Sequence, residues 1–313
     1  MRRIARTRLA LIGALLVVAS CNLIVGNVEP VLFQPGPDGG ESVAQDAAVA
    51  QDAQVAQDAQ VAQDAQDAQD AQDAQDAQDA QDAQDAQDAE DADTCPALGP
   101  VPSGMVPIPQ NTFEMGSFSG NVDERPMVSV KLCAFYMDLT EVTTEAYTEC
   151  VAAGGCTAAR TGSPCNYSVS GRSNHPINCV DWNQATAYCA WKGKRLPTEE
   201  EWEYAARGTD GRTYPWGNTD PGAQLCWNRT TTCAVGSYSG GKSPFDLHDM
   251  AGNVWEWTSS RYSGGYNQPR NSPDQVRRGG GYTADAPREV RSALRGHSLP
   301  TLNASDWGFR CAR

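Results

Sequence analysis

Histidine is nearly absent from this 313-residue chain: only His175, His248 and His297 occur, far apart in sequence. No Cys-x-x-Cys pair occurs either, so the spacing that most often builds a zinc site is missing. From Gln45 to Asp93 there is no lysine, arginine or aromatic residue, while fourteen Asp and one Glu are present. That segment alone carries −15, the formal charge of the whole protein, so the remainder is close to neutral. The acidic balance therefore describes one stretch of chain, and composition supplies no basic face for nucleic acid. The apolar run from Leu9 to Ala19 is too short for a membrane-spanning helix.

That short run does have the features of an export signal. Arg2, Arg3, Arg6 and Arg8 precede it, and it ends in Val18-Ala19-Ser20-Cys21. This ending resembles the bacterial lipobox, in which the cysteine is lipidated and becomes the mature N-terminus. The expectation is a lipoprotein signal peptide over residues 1–21, with Cys21 acylated; the alternative is an ordinary cleaved signal with a stray cysteine. Two or three acyl chains hold a protein stably on a membrane, whereas one is marginal. Asn22 rather than Asp after the cysteine favours the outer membrane of a bacterial cell envelope, by resemblance to known sorting rules.

Residues 22–94 are dominated by a Gln-Asp-Ala repeat that has too few apolar side chains to build a core. A period of three drifts around a helix of 3.6 residues per turn, so no apolar stripe forms, and Asp at i and i+3 repels. The segment is expected to be a solvated, charge-extended spacer spanning on the order of 50 Å or more. Cation buffering or partner binding is the functional alternative.

The foldable part is residues 95–313, which hold all eight Trp and ten of the eleven Cys. An even number of cysteines in an exported chain points to disulfides, with Cys95, Cys133, Cys150, Cys156, Cys165, Cys179, Cys189, Cys226, Cys233 and Cys311 as candidates. Close spacing suggests Cys150 with Cys156, Cys165 with Cys179 and Cys226 with Cys233, although spacing alone leaves connectivity open. Two helices are expected. In DWNQATAYCAWKG, Ala185, Tyr188, Cys189 and Trp191 recur at helical spacing and Gly193 sits at the stop. In RLPTEEEWEYAARG, Thr198 and Glu201 form a capping box and Gly208 closes the helix, so the acidic run is that of a first turn rather than a catalytic cluster. The rest reads as short strands and loops punctuated by Gly and Pro.

The segments MVPIPQNTFEMGS, FYMDLTEVTTEAY, AYCAWKGKRLPTEEEWEYAARG, YPWGN, DLHDMAGNVWEWTSS, RRGGGY and GFRCAR occur in that order between residues 104 and 313. Together they resemble the formylglycine-generating enzyme family, the sulfatase-modifying factor domain. The resemblance implies an α+β fold related to the C-type lectin domain, with little regular secondary structure and many disulfides. It also implies a bridge between Cys189 and Cys311.

Active members of that family oxidise a sulfatase cysteine to formylglycine with oxygen and a Cu(I) ion held by two thiolates, ligands suited to a soft metal. Those cysteines follow the RGG motif. Here the stretch reads RGGGYTADAPREVRSALR over residues 278–295 and contains no thiol, and Asp285 or Glu289 could not replace one for this metal. A His-x-x-x-His-x-Glu iron motif, used by other relatives, is missing too. Copper is therefore not expected. Calcium is: the resemblance implies carboxylates from Asp249 and Glu256 and carbonyls from Gly252 and Val254, against the alternative of a metal-free turn. Asn228 matches one ligand of a second calcium site whose acidic remainder is missing. Arg288, Arg291, Arg295 and Arg310 could bind an anion, but pairing with buried carboxylates is the leading expectation.

The sequence thus predicts a lipid-anchored display of one scaffold domain, a non-catalytic binding or structural module for an unknown protein or glycan ligand, with loops 156–175 and 258–277 as its surface. The alternatives are a sulfatase-modifying oxidase with displaced ligands, or another oxidoreductase on the same scaffold.

Overall fold

The structure is a computed structural model that describes residues 95–313. The signal, Cys21 and the spacer lie outside the described residues. No helix among them is long and apolar enough to cross a membrane.

Among the described residues, three α-helices, three short 3-10 helices and eight short strands make up the regular structure. Helix α1 is Thr144–Ala152, α2 is Trp182–Trp191 and α3 is Glu199–Arg207. Strand β1 (Met105–Ile108) pairs antiparallel with β4 (Phe135–Asp138), and β2 (Asn111–Met115) with β3 (Val128–Leu132). Strands β5 (Trp255–Arg261), β6 (Gln275–Arg278), β7 (Arg295–Ser298) and β8 (Trp307–Gly308) form a sheet in the order β7-β6-β5-β8. Only its β5–β8 edge is parallel. This is the α+β architecture of short elements expected from the sequence.

Local chemistry sets the helix ends. Thr198 accepts from the Glu201 N–H while Glu201 returns a bond to the Thr198 N–H, satisfying two orphan donors of α3. Asp181 and Gln184 do the same at α2, a box the sequence reading did not identify. Gly193 and Gly208 follow α2 and α3 with positive φ, where a Cβ would be strained. Helix α1 was not expected; Thr143 caps it by accepting from the Ala146 N–H.

Tyr147, Tyr188, Phe309, Trp257 and Ile177 pack into one core cluster, while Trp202, Tyr204, Phe113, Met115 and Leu247 pack into another. Five disulfides staple the domain: Cys95–Cys133, Cys150–Cys156, Cys165–Cys179, Cys189–Cys311 and Cys226–Cys233.

The glutamates of α3 face inward onto arginines. Glu199 takes Arg295 Nε at 2.6 Å, and Glu203 takes Arg207 Nη1 at 2.9 Å and also pairs with Arg278. Glu201 pairs with Arg195 at 2.6 Å. The run is thus a capping and ion-pairing device. Loop 258–277 is turned inward by the same network, since Tyr266 Oη donates to Glu203 at 3.4 Å, Tyr262 Oη to Asp123 at 3.1 Å, and Arg270 pairs with Glu200. The loop is thus anchored at three points, with Asn267, Gln268, Pro269, Asn271 and Pro273 exposed between and beside them.

Candidate functional site

Strand β6 delivers the chain into Gly279-Gly280-Gly281, and close approach explains the last two glycines. Gly280 has φ +75, and a Cβ there would strike the Glu289 carbonyl. A Cβ on Gly281 would lie 2.8 Å from Asp306 Cβ and Oδ2. Asp306 is held there by Thr283, whose hydroxyl donates to Oδ2 at 2.7 Å. Ala284 is buried and its carbonyl accepts from the Asn228 N–H at 2.7 Å. Asn228 itself, the weak second calcium candidate, sits in left-handed backbone with φ 48 and is exposed, with no acidic group converging on it. Beside this stretch Arg277 lies 3.5 Å from the Trp307 ring centroid, with Trp255 and Trp257 at 5.5 and 5.4 Å. Burial among these indoles holds its pKa down to about 10.

The donor chemistry around residues 278–295 does not fit Cu(I). No thiol lies in that stretch, and all ten cysteines of the described residues are in disulfides, which cannot offer thiolate. Among the described residues, no group of three or more His, Cys, Asp and Glu side chains converges into a metal cluster.

The 249–256 turn has a different electrostatic character. Asp249 (φ 57) and Asn253 (φ 58) adopt left-handed backbone, and Asp249 Oδ2 accepts the Gly236 N–H at 2.6 Å. Glu256 was expected to offer a free carboxylate. Instead, Arg310 donates Nε to Oε2 and Nη2 to Oε1, both at 2.7 Å, and Trp202 Nε1 donates to Oε2 at 2.7 Å. The unpartnered carboxylate belongs to Glu141, just before α1, which the sequence reading missed. It is 1 % exposed, neither oxygen has a hydrogen-bond partner among the described residues, and the charge of Asp249 acts on it. Burial, then the neighbouring Asp249, pushes the Glu141 pKa well above the usual carboxylate range. Burial raises that of Asp249 as well.

The charges of this cluster do not balance. Glu141, Asp249 and Glu256 set three carboxylates against the single guanidinium of Arg310. An excess of two negative charges in a buried place calls for a divalent cation or for protons. The charge and the oxygen chemistry suit a hard cation, but among the described residues the carboxylates do not converge into a ready-made metal cluster. Asp249 and Glu141 carry the available oxygens, and Glu256 serves Arg310 first.

Arg291 pairs with Glu124 at 2.6 Å, Arg295 with Glu199 and Arg310 with Glu256, so these three arginines are structural. Arg288 is exposed beside its neighbour Glu289. Outside this region, one cavity of about 730 Å³ lies beside Cys156, Arg160 and Asn303, and another of about 500 Å³ lies between α1 and residues 168–173.

Comparison with known proteins places the chain in a family. The chain is 32% identical over 276 residues to a formylglycine-generating enzyme of Mus musculus, covering 66% of this chain and 74% of the relative. A Bos taurus protein described as an inactive C-alpha-formylglycine-generating enzyme 2 is 42% identical over 154 residues, covering 44% of this chain and 50% of that protein. The solved structure of PvdO from Pseudomonas aeruginosa superposes with a TM-score of 0.58 at 26% identity, over 67% of this chain and 93% of PvdO. The model of the sulfatase-modifying factor enzyme 1-like domain matches residues 91–313, and the chain belongs to that family.

Proposed function

We propose that residues 95–313 form a non-catalytic binding module, carried on an acidic spacer and anchored through lipidated Cys21 to the outer membrane of a bacterial cell envelope. One observation carries the reading: the family's copper chemistry needs two thiolates, and every cysteine of the described residues is in a disulfide. Asp306 supports it by filling the space a side chain at position 281 would take beside the former copper stretch. The inactive relative supports it by analogy, because one branch of the family carries that description.

Calcium belongs to this proposal as a structural ion. It would be held by Asp249, the carbonyls of Gly252 and Val254, and Glu141, with Glu256 contributing only what Arg310 leaves. Its part would be to balance the buried charge and fix the turn. The competing reading, a formylglycine-generating oxidase, is favoured by the identity to the Mus musculus enzyme over 276 residues. One experiment separates the two. The mature chain, denatured without reductant, should yield no titratable core thiol, and copper-treated protein should leave a Cys-x-Pro-x-Arg peptide unmodified. Copper-dependent formation of formylglycine would overturn the proposal.

A further inference from the structure

Nine arginines of the described residues are buried or half-buried, and seven of them have a carboxylate partner: Arg207, Arg212, Arg270, Arg278, Arg291, Arg295 and Arg310. Of the other two, Arg277 is covered by indole rings. Arg172 instead lines a cavity of about 470 Å³ together with Cys165, Asn166, Val169, Thr230 and Thr231.

The guanidinium of Arg172 is positioned through one nitrogen. Nη1 donates to the Thr232 carbonyl at 3.3 Å and Thr232 Oγ1 at 3.4 Å, and contacts His175 Nδ1 at 3.1 Å. A hydrogen-bond relay behind it fixes these acceptors. Asn166, 2 % exposed, donates Nδ2 to Thr232 Oγ1 at 2.9 Å, and that hydroxyl lies 2.9 Å from His175 Nδ1. Burial, then the Arg172 charge, lowers the pKa of His175. A neutral ring with an unprotonated Nδ1 accepts from both neighbours. Among the described residues the arginine thus has only uncharged acceptors, and its Nε and Nη2 donate to none of them.

The cavity wall is held by the Cys165–Cys179 bridge, and Asn166 is tied down by its N–H to Asn178 Oδ1 at 2.6 Å. A positioned, uncompensated guanidinium beside two threonines suits an oxyanion, which accepts charge-assisted bonds from the guanidinium fork. The volume exceeds that of a bare ion, leaving room for the body of a small molecule.

We propose that this cavity binds a small ligand through a sulfate, phosphate or carboxylate group, with Arg172 as the anchor and Thr230 and Thr231 as hydroxyl partners. The proposal rests on the binding-module reading and names the ligand chemistry for loop 156–175.

The test is a titration of the full chain at fixed ionic strength with inorganic sulfate, inorganic phosphate, acetate, glucose 6-sulfate and glucose 6-phosphate, followed by the NMR signals of the His175 ring. An anion on Arg172 offsets the charge that lowers the His175 pKa, so those signals should shift saturably while His297 stays still. Arg172→Gln should weaken binding at least about tenfold, and Arg172→Lys, which keeps the charge without the fork, should fall between. Should Arg172→Gln fail to fold, Thr230→Val with Thr231→Val provides a second weakening variant. A preference between the tetrahedral anions and acetate names the group, and tighter binding of the sugar esters than of free anions shows that the cavity holds the body as well. Shifts that are unsaturable, or equal in the wild type and Arg172→Gln, would overturn the proposal. That failure leaves the thiol count and copper inertness standing, and formylglycine formation would leave this titration standing.

Discussion

Arg310 closes on Glu256 through two hydrogen bonds of 2.7 Å, and neither side chain has any exposure to solvent. The same guanidinium donates to the carbonyls of Asp138 at 3.2 Å and His248 at 2.8 Å, so a single cation links β4, the 249–256 turn and β5. Removing one partner of such a pair costs more than the pair contributes, because the other charge stays buried. Arg310→Met should therefore destabilise the domain by about 3–5 kcal/mol. Urea unfolding of the full chain measures it, and a loss below about 1 kcal/mol, typical of an exposed pair, would contradict the assignment.

Calcium should raise the melting temperature of chelated protein. At a hundredfold excess over its dissociation constant a ligand adds about 2.7 kcal/mol, which for a domain of this size is on the order of 5–10 °C. Asp249→Ala should abolish the rise. Glu141→Gln is more discriminating: it removes one unbalanced charge, so it should melt higher than the wild type in chelator and gain less from calcium. Differential scanning calorimetry separates these outcomes, and a curve unmoved by millimolar calcium would remove the ion from the account.

The disulfides should differ in worth. Cys189–Cys311 spans 122 residues and Cys226–Cys233 spans 7. Loop-closure entropy assigns about 5 kcal/mol to the first and about 2.5 kcal/mol to the second. Chemical unfolding of the two paired Cys→Ala variants should rank them in that order, and equal losses would show that native-state packing dominates.

The spacer should be dispensable for folding. Residues 95–313 produced without residues 1–94 should unfold cooperatively, with the same midpoint as the longer chain, because a segment this polar has little apolar surface to bury. A broad, non-cooperative melt would place the boundary elsewhere.

The sequence was most legible where one signal was local. Thr198, Glu201 and Gly208 are read within eleven residues, and the structure uses all three to bound α3. Cys189 and Cys311, paired here through the family's pattern, are far apart in sequence and joined in space. Glu141 was hidden for the opposite reason. Alone in Asp-Leu-Thr-Glu-Val it looks like an exposed turn residue, and its meaning appears only when the fold places Asp249 and Arg310 against it. Loop 258–277 carries anchors that the sequence did not reveal. Tyr262, Tyr266 and Arg270 bond to Asp123, Glu203 and Glu200, while Asn267, Gln268, Pro269, Asn271 and Pro273 stay exposed. Arg172 was equally invisible, since an unpaired cation is recognised only once every other half-buried arginine has been matched.

The spacing of the disulfides also orders events in time. Closing a loop of 6, 7 or 14 residues is entropically easy, so Cys150–Cys156, Cys226–Cys233 and Cys165–Cys179 are favoured early in oxidation. Cys189 and Cys311 meet only after α2 and the 307–313 segment have docked, through contacts such as Arg195 with Ala312. Loop length therefore ranks Cys189–Cys311, the bridge with the largest closure cost, behind Cys95–Cys133 with its separation of 38 residues. In an oxidising compartment, such late-pairing thiols would be open to mixed-disulfide exchange until the two segments dock.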